Sequence, residues 1–230
     1  MKELFTDSVY FGVLISLAAY GIGVLMKKKF KLAIFNPVLV AIVFIIGFLL
    51  IFDMDYASYS NGAKYISYLL TPATICLAVP LYEQFELLKK NMTAVMLGIV
   101  SGVLTSLTCI LAFAIFFSLD HTEYVTFLPK SVTTAIGMGI SEELGGSVAI
   151  SVGVIIITGV FGNMFAEFIC KVFRITEPIA KGIGIGSASH VIGTSKALEM
   201  GEVEGAMSSL SIVVAGLITV AGAAVFANFL

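Results

Sequence analysis

Apolar positions along this chain run on over lengths that a soluble helix does not need. SVYFGVLISLAAYGIGVLM at 8–26, LAIFNPVLVAIVFIIGFLLI at 32–51 and MTAVMLGIVSGVLTSLTCILAFAIFFS at 92–118 set the pattern, and segments 148–170 and 205–229 repeat it. A helix rises 1.5 Å per residue and the hydrocarbon core is about 30 Å thick, so these five segments are predicted to be membrane-spanning helices. Three further segments break the pattern. Residues 62–82 are long and apolar but contain Pro72 and Pro80, which predict a kinked or broken helix. Segments 127–146 and 182–201 are too rich in glycine and polar side chains to face lipid as helices.

Composition agrees with this reading. Of the 230 residues, 59% are hydrophobic and 12% charged, with a mean hydropathy of +1.05, against about 25% charged in ordinary soluble domains. The predicted fold class is an all-α integral membrane protein, a multispan helical bundle within a single domain, 1–230. Its scaffold spans are expected over 1–126. Cys76, Cys109 and Cys170 lie in apolar runs without paired spacing, so neither disulfides nor a metal site is expected. No cofactor is expected, and no soluble-enzyme motif is present. The first apolar run has its positive cluster after it and no cleavage site, so it is taken as a span and not as a signal peptide.

Charge placement sets the topology. Lys27, Lys28, Lys29 and Lys31 follow the first span, which puts that loop in the cytoplasm and the N-terminus outside. Asp53 and Asp55 then lie outside, Lys89 and Lys90 inside, and Asp120, His121 and Glu123 outside. If 127–146 crossed fully, Lys171, Arg174 and Lys181 would fall outside, against the rule. A re-entrant hairpin that returns to the outer side restores it. The same logic makes 182–201 a second hairpin, entering from the inside, and leaves the C-terminus outside.

An internal repeat supports the pairing. At a gapless offset of 56, TTAIGMGISEELG (133–145) lies over SHVIGTSKALEMG (189–201), matching Ile136 with Ile192, Gly137 with Gly193, Glu143 with Glu199 and Gly145 with Gly201. A hairpin plus one span reverses the entry side, so the copies, about 127–175 and 182–230, are expected as inverted repeats. Paired, interrupted, glycine-containing segments point to a transporter's binding site.

The polar residues of the hairpins are the candidate chemistry. Lys130 and Lys196 either pair with a carboxylate substrate or neutralise Glu142 and Glu143, and a lysine that snorkels to the interface is the plainer alternative. Ser131, Thr133 and Thr134 in the first hairpin, and Ser187, Ser189, Thr194 and Ser195 in the second, offer neutral donors beside broken helices. Free helix N-termini there suit an anion. Glu142, Glu143 and His190 are candidates for proton coupling. Against this, the glutamates sit in water at a hairpin end, or His190 bonds to a facing backbone. Gly137, Gly139, Gly145, Gly146 and Gly193 allow close approach within the hairpins. Asn163 suits a helix–helix hydrogen bond.

PKSVTT followed by GISEELGG at 129–146, and HVIGTSKALEMGEVEGAMSSL from His190 onward, resemble the two distinctive motifs of the LrgB/CidB family, and the resemblance covers essentially the whole chain. Ala135 departs from it, where the family pattern has proline. The resemblance implies an antiholin-like protein of the bacterial cell membrane, acting beside a small partner membrane protein of the LrgA/CidA type. It also implies kinship with a plastid glycolate/glycerate translocator and with pyruvate carriers. Two functions follow. The first is a non-enzymatic secondary transporter of small monocarboxylates, with proton coupling as an optional feature, binding at the two polar broken-helix segments. The alternative is an antiholin or holin-like modulator of murein hydrolase export and cell lysis. Expected partners are the carboxylate, membrane lipid, a second copy of the chain and the small membrane protein, with no nucleic acid.

Overall fold

A computed structural model describes residues 10–30 and 35–230. Lys31, and the beginnings of the first two predicted spans, lie outside the described residues. The chain divides into two compact units, Met1–Cys76 and Leu77–Leu230. Among the described residues every element is helical. Four helices are long and apolar enough to cross a membrane, and Pro37–Ile51 is shorter.

In the first unit, α1 (Phe11–Phe30) packs on α2 (Pro37–Ile51) and α3 (Tyr56–Ser67), and α4 (Leu70–Cys76) follows. Gly12 lets α1 meet the backbone of α3 at Tyr59 and Ala63, and Gly23 meets Pro37. The Asn36 side chain accepts from the N–H groups of Val38 and Leu39, capping α2 ahead of a proline at its first position. The predicted broken segment at 62–82 is resolved as three short helices, α3, α4 and α5 (Ala78–Glu83). Pro72 and Pro80 each occupy the first turn of a short helix, where backbone N–H groups lack an intrahelical partner in any case. Each proline therefore fits within a helix start, two residues after the first helical residue.

The second unit continues with α6 (Phe85–Lys90), α7 (Met92–Phe117), α8 (His121–Phe127), α9 (Thr134–Glu143), α10 (Val148–Val172), α11 (Pro178–Met200) and α12 (Glu202–Phe226), ending in a 3-10 turn. On α7, Val95, Ile99, Val103, Leu107, Ile110 and Ala114 are buried at steps of four and three residues, which is one helical face. This face carries the main core.

Two hairpins fill the space between the spans. In the first, α8 runs inward from the Asp120 capping box and α9 returns, so that Gly146 comes back beside Thr126. The inward arm begins at His121, six residues before the predicted start at 127. HTEYVTF is too short and too polar to register as a membrane segment. The second hairpin is α11. His190, at φ 43 and ψ −141, is non-helical, and the chain folds back there, because Gly193 lies against Ser189 and the Ile185 carbonyl. Arm 178–189 runs alongside α12, with Gly182 on Glu204 and Gly186 on Ser208. Arm 191–200 runs the other way, with Thr194 bonded to Ser208 and Leu198 on Gly205. Gly182 and Gly186, four apart, give the close backbone approach that membrane helices use in place of hydrophobic burial.

Every lysine and arginine of the second unit except Lys130 falls at one end of these helices. We call this the basic end. The opposite, acidic end carries Asp120, Glu123, Glu142 and Glu143.

Candidate functional site

The tips of the two hairpins converge halfway along the spans. On α7, Ser106 Oγ is 3.2 Å from Ser131 Oγ at the first tip. One turn earlier, Gly102 packs on Ser187, which approaches the second tip. On α10, the Ile155 side chain meets Gly137 of the first hairpin, while its carbonyl accepts a 3.0 Å hydrogen bond from His190 Nε2 of the second. Both tips therefore rest on the middle turns of the same two spans.

Lys130 Nζ donates to Ser131 Oγ at 2.9 Å, so its ammonium is held at the first tip and is not drawn to an interface. It is the one lysine or arginine of the second unit away from the basic end. The next helix, α9, begins at Thr134 without a side-chain cap, and its N-terminus lies at the first tip, as that of arm 191–200 lies at the second. Two helix N-termini and one lysine thus bring positive charge to the midpoint of the helices, where hydroxyls of Ser131 and Ser106 add neutral donors. The arrangement suits a small anion.

The other candidates separate into distinct places. Ser189 is buried, and Gly162 of α10 packs tightly on it. Thr194 is fully buried, donating to the His190 carbonyl and pairing with Ser208 at 2.7 Å, and so it joins α11 to α12. Ser195 accepts from Asn163 Nδ2, which also donates to the Ile192 carbonyl, each at 2.8 Å. Asn163 makes the helix–helix bond its position suggested. Lys196 stands at the basic end, 3.1 Å from Glu167 and 3.5 Å from Glu199. Its partners are therefore Glu167 and Glu199, and not Glu142 or Glu143, which lie at the opposite end. Glu142 and Glu143 are exposed at the far end of α9, about 14 Å from its start at 1.5 Å per residue.

Among the glycines, Gly145 has φ 79 and closes α9 in the left-handed conformation, with the Gly146 N–H donating to the Ser141 carbonyl. The repeat-matched glycines differ in their tight contact: Gly137 packs on Ile155 of α10 and only touches Pro129, whereas Gly193 packs on Ser189 and Ile185 of its own inward arm. Gly139 has no near neighbour. Sequence reasoning missed Gly102 and Ser106 on α7 and Gly159 and Gly162 on α10. In a lipid-compatible helix the only signal such residues leave is their small size.

At the family level, the chain matches the LrgB-like family over residues 16–229. The chain belongs to this family. Relatives named antiholin-like protein LrgB, from Bacillus subtilis (strain 168), Bacillus mycoides (strain KBAB4) and Bacillus cereus (strain B4264), are each 39% identical over 226 residues, spanning 98% of both chains. No solved structure matches the chain. Family membership agrees with the motif resemblance at 129–146 and from His190 onward.

Proposed function

We propose that this protein is a non-enzymatic, antiholin-like protein of the bacterial cell membrane, modulating murein hydrolase export and cell lysis beside a small membrane partner. The observation that carries this is the end-to-end similarity to relatives bearing that name. Their name supports the alternative reading of the sequence more directly than it supports the carrier. With basic residues inside, the basic end faces the cytoplasm and both termini lie outside. The test is deletion of the gene in its own host. Faster autolysis and more murein hydrolase in the medium are expected, reversed by the wild-type chain. Unchanged lysis rates on deletion would refute the role.

A second reading, passage of a small monocarboxylate, is favoured by the convergence of the two hairpin tips. In it Lys130 and the N-termini of α9 and arm 191–200 hold the carboxylate, Ser131 donates to it, and rocking of the hairpins exposes it to alternate sides. Proteoliposomes with an imposed pH gradient, followed for labelled pyruvate and glycolate and for release of a trapped dye, separate the readings. Saturable uptake without dye loss, lowered about tenfold or more by Lys130→Met, is the carrier result. Dye release, or no flux without a partner, rejects it.

A further inference from the structure

At the basic end a cavity of about 740 Å³ opens between the end of α10, the linker after it and the feet of the second hairpin. Its walls bring together Lys171, Arg174, Lys181 and Lys196 with Glu167, Glu199 and Glu204. The carboxylates are taken. Glu167 pairs with Lys171 at 2.9 Å and Lys196 at 3.1 Å, Glu199 pairs with Lys196, and Glu204 pairs with Lys181 at 3.6 Å. Arg174 is exposed and makes no ion pair among the described residues.

The backbone of Arg174 is unusual as well. Its φ is 54, and the Ile175 N–H donates to the Cys170 carbonyl at 2.8 Å, which is the helix closure that ordinarily places glycine at the left-handed position. A side chain there costs free energy that glycine does not. An arginine kept at such a position, without a carboxylate and lining a cavity, is a cation waiting for an anion.

The neighbouring surface says which anion. Phe161, Phe165, Phe168 and Val172 recur at steps of four, three and four along α10, all exposed, and Phe161 and Phe165 stack at 5.8 Å. Phe173, next to Arg174, is 72% exposed. Lys171 is three residues from Phe168 and flanks this apolar stripe. Cationic cavity and lipid-facing stripe are thus adjacent at the end of one span. We propose that this cavity binds the phosphodiester of an anionic phospholipid, held by the Arg174 guanidinium and Lys171, with the acyl chains lying along the Phe161–Val172 face of α10.

The test is native mass spectrometry of the full chain purified in neutral detergent and titrated with phosphatidylglycerol or phosphatidylcholine. Wild type and Lys89→Gln, an exposed change outside the cavity, are expected to retain phosphatidylglycerol in preference to phosphatidylcholine. Arg174→Gly suits the left-handed backbone and should fold at least as well. It is expected to weaken phosphatidylglycerol retention about tenfold while leaving phosphatidylcholine alone. Should Arg174→Gly fail to fold, Lys171→Gln gives the same reading with the turn intact. Equal phosphatidylglycerol binding by the folded variant overturns the proposal. Displacement of the lipid by excess inorganic phosphate also overturns it, because the ligand is then a soluble phosphate.

Discussion

His190 is held where few side-chain-bearing residues stay, with φ 43, and the ring that makes this tolerable is bonded across to Ile155. Two contributions oppose each other at this one residue, a strained backbone and a buried hydrogen bond. Substitution separates them. His190→Ala keeps the strain and loses the bond, whereas His190→Gly loses the bond but relaxes the backbone. His190→Gly is therefore expected to be more stable than His190→Ala by about 1 kcal/mol, measured by denaturant unfolding in mixed micelles. Equal stabilities would mean that the tip carries no strain. The residue also illustrates what sequence hides. That His190 belongs to a polar tip is visible from its serine and glycine neighbours, but its left-handed backbone is not, because nothing in HVIG marks a fold-back and the glycine that local chemistry favours there is absent.

Small residues on α10 decide how closely the second hairpin can sit. Gly159 faces the His190 ring and Gly162 faces Ser189, while Gly153, on the same helix, meets nothing. Alanine at Gly153 is expected to be neutral or stabilising within about 1 kcal/mol. Alanine at Gly162 forces the hairpin outward and is expected to cost about 1–3 kcal/mol, read as a lower unfolding midpoint in detergent. If both variants unfold alike, the close packing is not what holds the arm. At this scale the long spans were legible, since an apolar run the width of a bilayer has few other uses. Both hairpins were legible from glycine content combined with lysine placement. The short elements were not. Tyr56–Ser67 is a helix of polar and small residues, His121–Phe127 is two turns long, and Pro72 and Pro80 suggest breakage without saying that each also falls within the start of a new helix. The tip contacts on α7 were equally hidden, because Gly102 and Ser106 give no sign of which face they occupy.

Taken whole, the second unit has two return arms, each followed by a long span, that run in opposite directions, with α9 ending at the acidic end and arm 191–200 at the basic end. Cysteines placed at the repeat-matched positions Glu143 and Glu199, with Cys76, Cys109 and Cys170 replaced by serine, are expected to react with an impermeant maleimide from opposite sides of sealed vesicles. Labelling from one side would contradict the inverted arrangement. The two ends are also fastened by different means. At the acidic end, buried Thr126 accepts from the Ser147 N–H, and Ser151 donates to the Thr126 carbonyl and to Ser141, so hydroxyls bind the first hairpin to α10. At the basic end the corresponding fastening is ionic, through Lys196 to Glu167 and Lys181 to Glu204. Mobile ions weaken the second kind of fastening and leave the first nearly untouched, but for pairs this close the effect sets in only as the screening length falls from roughly 8 Å at about 0.15 M salt towards about 3 Å near 1 M. Any response of the second unit's latches to salt is thus expected at one end. Raised salt should loosen the feet of the second hairpin, seen as faster amide hydrogen exchange over 191–200, and leave 134–143 unchanged. The asymmetry lies in the way the two hairpins are latched, one by neutral hydroxyls and the other by charge.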